Sequence, residues 1–367
     1  MDKVTKIGII GCGNISPIYL SNLQNVFKNV EVKAVADRIH ERAEIRAKEY
    51  NTTALSVKDL LADPEIKIVV NLTNPDQHTI VNRQIIEAGK CPHSEKPFNG
   101  LIEDAIEVLA MAKAKGVRVG GAPDTFLGAG IQTCRKLLDD GYIGTPVAGT
   151  SFMLCHGHES WHPDPDFYYK TAAGPMFDMG PYYITALVSL LGPVARVSGS
   201  TKITFPKRKI TSQPKYGKII DVQVPTHVAG TMDFVNGTTV TMITSFDVWG
   251  ARSLPCIEIY GTEGTMVVPD PNGFGGPVYV KRYNTDFKEM PLTHSYSDNS
   301  RGLAVADFAS ALVHGRKHRA NDELCFHALE VMHSFELSSK SNQHYFLKST
   351  CERPAPMKEV LEKGEID

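Results

Sequence analysis

Residues Lys6-Ile-Gly-Ile-Ile-Gly11-Cys-Gly13-Asn14-Ile15-Ser16 set an apolar run directly before a glycine-rich turn, and a helical pattern follows. A turn of this kind between strand and helix commits the chain to a βαβ unit whose helix N-terminus receives a phosphate. Gly11 permits the tight turn, and Gly13 lets the backbone approach a pyrophosphate. Ser16 is the small residue at which helix and strand pack. Asn14 and Ile15 complete the turn and join the two glycines as expected dinucleotide contacts.

Asp37 closes the next expected strand, 31–36, about twenty residues past the turn, where a carboxylate meets the ribose of a dinucleotide. Its charge would repel a 2′-phosphate, so NAD is the expected cofactor. Arg38 beside it can accept that phosphate, which keeps NADP open. An apolar run at 66–72, helical spacing at 77–88 and 101–115, and a short apolar run at 117–120 continue the alternation of strand and helix. Such alternation predicts a doubly wound parallel sheet, the Rossmann arrangement of an α/β protein. Ligands bind beyond the carboxyl ends of its strands. Asn71-Leu-Thr73-Asn74-Pro75 and Ser94-Glu95-Lys96-Pro97 fall there, so Thr73, Asn74, His78, Glu95 and Lys96 are further expected cofactor contacts.

The signals change near Pro123. After a helix at 128–140, strands are expected at 147–154, 194–205, 222–234, 238–248 and 257–260, with shorter ones near 264–269 and 278–280. Asn236-Gly237 marks a hairpin. Helices are expected at 178–191, 302–313 and 325–338. This describes two domains: a dinucleotide-binding domain at 1–123, and a substrate-binding and oligomerisation domain at 124–367. The second is α+β, with a large, mostly antiparallel open sheet. A broad one-sided sheet supports self-association, so a homo-oligomer, dimer or tetramer, is expected.

With 367 residues and a net charge of −2, the chain lacks the electrostatic footprint of a nucleic-acid or anionic-membrane binder. No apolar run approaches the roughly twenty residues of a membrane span. The first strand begins almost at once, which leaves no room for a signal peptide. Seven scattered cysteines without a C-x-x-C pair read as reduced thiols of a cytoplasmic protein.

Three motifs in order resemble the Gfo/Idh/MocA oxidoreductases. They are the N-terminal G-x-G-x-x-S turn, Glu95-Lys96-Pro97, and Gly174-Pro-Met-Phe-Asp178-Met-Gly180-Pro-Tyr182. The resemblance covers essentially the whole chain. It implies NAD(P)-dependent oxidation or reduction of a ring hydroxyl in a sugar, inositol or related compound, and it implies Lys96 as an active-site lysine. A lysine at the carboxyl edge of a parallel sheet can hold a substrate oxygen and stabilise developing alkoxide charge; the plain alternative is a surface lysine beside a turn proline. In the family's D-x-G-x-H helix motif, Asp178 and Gly180 match, while Tyr182 occupies the histidine position.

Asp178 and Tyr182, four apart, are expected on one helix face. A phenol titrates near 10, so Tyr182 could take a proton only with a cation such as Lys96 beside it. The other reading makes Tyr182 a substrate-shaping aromatic and gives the proton to a loop histidine. Cys155-His156-Gly-His158-Glu159-Ser-Trp161-His162-Pro-Asp164 supplies candidates: His158 and His162 for substrate hydroxyls, and Trp161 with Tyr168-Tyr169 for stacking on a sugar face. Zinc is the alternative use of that segment, but its spacing matches no open metal scaffold and no metal is expected. Asp124, at the change of character between domains, is a further substrate candidate. Trp249, Arg252 and Arg301 read as mainly structural, and His327 and His333 as ordinary helix-surface or interface residues.

The expected activity is oxidation of a secondary ring hydroxyl of a sugar, glycoside or cyclic polyol to the ketone, by hydride transfer to NAD. Two alternatives stand beside it. One is NAD-recycling glycoside cleavage through a transient 3-keto sugar, and the other is a non-catalytic dinucleotide and sugar sensor.

Overall fold

The computed structural model describes residues 4–251 and 254–367. The first unit opens with β1 (Thr5–Ile10), α1 (Ser16–Asn25), β2 (Val30–Ala36), α2 (His40–Glu49), β3 (Thr53–Ala54) and α3 (Val57–Ala62). It continues through β4 (Ile68–Asn71), α4 (His78–Glu87), β5 (Cys91–Ser94), α5 (Ile102–Lys115) and β6 (Gly120–Gly121). Six strands pair in the order β3-β2-β1-β4-β5-β6, all parallel. The order reverses between β1 and β4, which makes that point the natural crevice for a ligand. Ile7, Ile9, Val69 and Val70 are fully buried, as continuous apolar strands covered on both faces must be. The strand expected at 117–120 shrinks to Gly120–Gly121, because pairing with β5 begins only at His93 opposite Gly120.

Helix ends follow their local chemistry. Ser56 Oγ caps α3 by accepting the Asp59 amide at 3.1 Å. The first turn of α5 carries Glu103 and Asp104 and its last turn Lys113 and Lys115, each sign complementing the helix dipole.

The second half contains α6 (Ala129–Asp139), β7 (Pro146–Leu154), α7 (Gly174–Asp178), α8 (Gly180–Leu191), β8 (Val194–Lys202), β9 (Lys207–Lys209) and β10 (Ile219–Asp221). Then come β11 (His227–Phe234), β12 (Thr239–Ser245), β13 (Ile257–Gly261), β14 (Gly264–Val268), β15 (Val278–Arg282) and β16 (Lys288–Met290). The chain ends with α9 (Leu303–His314), α10 (Asp322–Ser341) and β17 (Tyr345–Phe346). Nine strands form a sheet in the order β16-β15-β14-β13-β7-β12-β11-β8-β17, antiparallel except for the β7–β12 pair. Asn236-Gly237 makes the β11–β12 hairpin, with Gly237 at φ +91°. Among the described residues no helix is long and apolar enough to cross a membrane.

A single cut at residue 123 does not describe the division of the chain. The first compact unit comprises everything described up to Ala129 together with Thr293–Phe326 and Pro354–Asp367; the second is Gly130–Leu292 with His327–Arg353. Long-range hydrogen bonds draw the C-terminal pieces back. Asn22 Nδ2 donates to the carbonyls of Asn299 and Arg301, both at 2.9 Å, and Arg319 donates to those of Ala355 and Pro356 at 3.0 and 2.9 Å. Composition carries no trace of such a return.

The helix expected at 178–191 is two helices. Pro181 has no N–H to give the carbonyl of Phe177, and the backbone turns at Met179 (φ −110°, ψ −26°), between α7 and α8. Asp178 therefore ends one helix and Tyr182 belongs to the next. His327 is fully buried rather than on a helix surface; its Nε2 accepts the Val194 amide at 2.9 Å and its Nδ1 meets Ser349 Oγ at 2.9 Å.

Candidate functional site

The carboxyl ends of β1, β2 and β4 enclose a cavity of about 430 Å³. Gly11, at φ +105°, donates its amide to Ala36 O at 2.9 Å; a Cβ there would lie 2.6 Å from the Leu72 carbonyl carbon and oxygen. Only glycine fits. At Gly13 a Cβ would meet nothing within 4 Å, so the turn leaves open space where a pyrophosphate must approach. Ser16 Oγ donates to Gly13 O at 2.8 Å and ties the turn to the helix. The first turn of α1 carries no acidic side chain to compete for its amides.

Both oxygens of Asp37 are oriented by backbone: Oδ2 accepts the Cys12 amide and Oδ1 the Ile39 amide, each at 2.8 Å. The carboxylate lines the cavity with Gly11, Gly13, Arg38, Thr73 and Asn74. The donor set fits a dinucleotide: an anchored carboxylate for ribose hydroxyls, an open glycine turn and a helix N-terminus for phosphates. Arg42, in the first turn of α2, also lines the cavity. The Cys12 thiol is pushed up to about 12 by burial and by the charge of Asp37, so it is no nucleophile at neutral pH.

Asn14 and Ile15 complete the turn, with Ile15 as the N-cap of α1. Two expected cofactor contacts are placed differently. His78 is 1% exposed, with Nδ1 against Pro97 O at 2.8 Å and Nε2 against Thr73 O at 2.9 Å. Each ring nitrogen thus faces a backbone carbonyl, the N–H of the neutral ring donating to one of them, and burial lowers the imidazole's pKa. Glu95 accepts the Tyr19 hydroxyl on Oε1 and the Lys96 amide on Oε2, both at 2.8 Å. His78 and Glu95 are positioning residues that lock the Thr73 turn and the Lys96-Pro97 turn to the sheet edge. Lys96 itself is half-buried on that turn.

Asp124 is not a substrate residue by its placement. It is 2% exposed and caps α9, its Oδ2 accepting the Gly302 amide at 2.7 Å and the Ala304 amide at 3.4 Å. Burial pushes its carboxyl up to about 6.

In the second unit the histidine-rich segment follows β7. His158 Nε2 lies 3.3 Å from Asp178 Oδ2. Its ring packs at 3.9 Å from Tyr168, 4.7 Å from Phe246 and 5.2 Å from Trp161. The segment rests on a buried ion network that sequence reasoning missed, because its members are far apart in the chain. Arg208, 5% exposed, bonds Glu159 at 2.6 Å, Asp247, and the Phe246 carbonyl at 2.8 Å. Glu159 also accepts the Tyr169 hydroxyl at 2.7 Å.

Trp161 is exposed, and His162 Nδ1 accepts the Asp164 amide at 3.0 Å. His156 stacks on exposed Trp249 at 3.5 Å. Among the described residues no three His, Cys, Asp or Glu side chains are grouped as metal ligands. Tyr182 is buried on α8. Arg301 donates to Asn299 Oδ1 at 2.9 Å, and Arg252 lies outside the described residues.

An NAD-binding fold of this topology, joined to a large mixed sheet, defines a class of two-part oxidoreductases. The NAD-binding Rossmann model of the oxidoreductase family matches residues 5–121, and the GFO/IDH/MocA C-terminal domain model matches 131–267. The chain belongs to the Gfo/Idh/MocA family. It is 24% identical over 301 residues to an uncharacterised oxidoreductase, YrbE, of Bacillus subtilis, covering 81% of this chain and 82% of that one. It is 24% identical to the D-xylose dehydrogenase of Paenarthrobacter nicotinovorans, covering 77% of each chain. It is 30% identical to an inositol 2-dehydrogenase/D-chiro-inositol 3-dehydrogenase of Lactiplantibacillus plantarum over 149 residues, 39% of this chain and 42% of that one. Among solved structures, an NAD-binding oxidoreductase from Klebsiella pneumoniae shares the fold with a TM-score of 0.80 at 20% identity, covering 94% of this chain and 99% of that one. Levoglucosan dehydrogenase does so at 0.79 and 18%, covering 95% of this chain and all of the other.

Proposed function

We propose that this oxidoreductase oxidises a secondary ring hydroxyl of a sugar, glycoside or cyclic polyol to the ketone, with NAD as hydride acceptor. The observation that carries the reading is the cavity at β1, β2 and β4, where Gly13 is open and Asp37 is pre-oriented by two amides. The substrate class is supported by the second unit, where imidazoles and aromatic rings cluster as sugar hydroxyls and ring faces require. Relatives named for D-xylose and inositol support the same class.

When bound, the dinucleotide supplies a two-electron acceptor for a hydride. The chain supplies the rest. Asp37 holds ribose hydroxyls and disfavours a 2′-phosphate. The amides at the start of α1 neutralise the pyrophosphate. Lys96 holds the substrate oxygen and stabilises alkoxide charge as the carbonyl forms. Glu95 and His78 fix the turn that carries it.

Self-association through the sheet completes the proposal. Along β7, Gly149, Ser151 and Met153 are buried, while Thr150, Phe152 and Leu154 on the other face are only half covered. None of the seven cysteines forms a disulfide, which supports a reducing, cytoplasmic setting.

The test is NADH absorbance with a panel of aldoses, cyclic polyols and glycosides. NADH formation with at least one of them is expected. Lys96→Met should keep NAD affinity and lose turnover by at least about a hundredfold. A well-folded, fully active Lys96→Met protein removes the lysine from the chemistry. Glycoside breakdown without net NADH would replace the reading with the recycling one.

A further inference from the structure

Past the ends of β7 and β12 the two chain segments stay paired. The Cys155 amide donates to Ser245 O at 3.0 Å, and the Val248 amide to Cys155 O at 3.1 Å. This pairing sets rings side by side in two layers: His158 with Phe246 at 4.7 Å, then His156 with Trp249 at 3.5 Å. The His158 layer also holds Tyr168 and the Asp178 carboxylate, the mixture of ring and polar groups suited to the sugar ring that reacts. The His156 layer has no part in that chemistry.

Its build nevertheless points to a ligand. Trp249 is 86% exposed, and Phe205, edge-on to His156 at 6.1 Å, is 42% exposed. The indole and imidazole planes are 13° apart, so one face of Trp249 is pinned and the other is open to water. An exposed group of this size and apolarity marks a binding surface when its neighbours are exposed rings as well. The support beneath is rigid. Buried Arg208 donates to the His156 carbonyl at 3.5 Å and to the Phe246 carbonyl at 2.8 Å, one from each segment. Its guanidinium lies 5.3 Å from the Phe205 ring centroid, and Glu159 and Asp247 neutralise its charge. The two layers therefore share one anchor.

Size and exposure select the occupant. An aromatic side chain buries at most about 250 Å², so Trp249 and Phe205 offer no more than about 500 Å², against roughly 800 Å² per partner in a stable protein interface. An aryl or alkyl group gains most from enclosure, which an indole 86% exposed does not give. A pyranose lays one C–H face on the indole and keeps its hydroxyls in water.

We propose that the substrate is a glycoside of two linked sugar rings, the first reacting beside His158 and Tyr168 and the second stacked on the open face of Trp249. This rests on the dehydrogenase reading and narrows its substrate class. Trp249 is a specificity residue: it holds the second ring and takes no part in hydride or proton transfer. His156 is a positioning residue that keeps the indole in place.

The experiment compares wild type with Trp249→Ala, Trp249→Phe and His156→Ala, each first shown to bind NAD and to unfold cooperatively. NADH formation is followed with cellobiose, maltose and lactose, with methyl α- and β-glucosides and methyl β-galactoside, and with phenyl β-glucoside. In kcat/KM the wild type should favour at least one disaccharide over the matching methyl glycoside. Trp249→Ala should cut that preference about tenfold, through KM rather than kcat, the scale of one lost ring stack. Trp249→Phe should restore most of it, and His156→Ala should lose part of it. A wild type without the preference, or a preference that survives Trp249→Ala, overturns the proposal. So does a loss confined to phenyl glucoside, which makes the occupant an aryl group. Dissociation of Trp249→Ala into smaller species in sedimentation, with the preference unchanged, overturns it in favour of a second copy of the chain.

A second readout needs no turnover. The chain has two tryptophans, so Trp161→Phe leaves Trp249 as the sole emitter. Its emission should shift saturably with at least one of the three disaccharides and stay constant with the methyl glycosides at the same concentration. Disaccharide turnover without that shift overturns the Trp249 platform and leaves the dehydrogenase reading standing. The shift without NADH from any compound faults the dehydrogenase reading and leaves the platform.

Discussion

His93 makes the structure's sharpest claim about stability. It lies on β5 of the parallel sheet, 0% exposed, and neither ring nitrogen has a hydrogen-bond partner among the described residues. Burial, with a smaller contribution from His318 and against the pull of Asp307, moves its pKa from 6.5 to about 3. The folded protein therefore keeps this imidazole neutral where the unfolded chain protonates it. Above the ordinary value both states are neutral and nothing is lost. As pH falls through 6.5 only the unfolded state gains a proton, so stability drops.

Between about pH 7.5 and about pH 5.5 the loss from one such group is about 1.4 kcal/mol, close to the full value of one pH unit. His318 and His327, each moved to about 4 mainly by burial, act in the same sense. Asp124, raised to about 6, acts in the opposite sense, so the wild-type slope alone is not diagnostic. The diagnostic quantity is the difference between wild type and His93→Leu in urea unfolding followed by circular dichroism across that range. The variant should lose about 1.4 kcal/mol less than wild type. At neutral pH it should be no less stable, since it removes two unsatisfied buried nitrogens. Equal pH slopes for the two proteins would refute the reasoning.

The cofactor cavity and the α9 cap carry two further predictions. NAD should bind more tightly than NADP, and Asp37→Ala should narrow the ratio by about tenfold, roughly 1.4 kcal/mol, because Arg38 and Arg42 then face a 2′-phosphate unopposed. Tighter NADP binding by the wild type, measured calorimetrically, contradicts this. Asp124→Ala should cost about 1–2 kcal/mol of unfolding free energy for the lost α9 cap and leave the sugar KM unchanged. A raised KM at full stability would return Asp124 to the substrate.

Wherever the physics is local, the chain declares its structure in advance. A glycine-rich turn between strand and helix, with a carboxylate after the next strand, is a short-range pattern. Gly11, Gly13 and Asp37 stand where that pattern puts them. The left-handed Gly237 of the hairpin is local in the same way, and so are the α5 boundaries, set by its own charges and by Gly116. Tertiary structure decided whatever depends on partners far away in the chain. The return of the C-terminal pieces to the first unit rests on single hydrogen bonds such as those from Asn22 to Asn299 and Arg301.

Asp124 and His78 look like ligand residues in sequence, since polar side chains at a sheet edge usually are. Here each has its polar atoms set against backbone, Asp124 and one nitrogen of His78 against segments further along the chain. The pairing of His158 with Asp178 joins a loop to a helix end twenty residues away, a distance no periodicity encodes. The Arg208 network beneath it spans wider gaps still. Hydrophobic alternation and turn chemistry act over a few residues and determine which elements form. Which side chains meet, and which polar groups are already satisfied before a ligand arrives, is settled only when those elements pack.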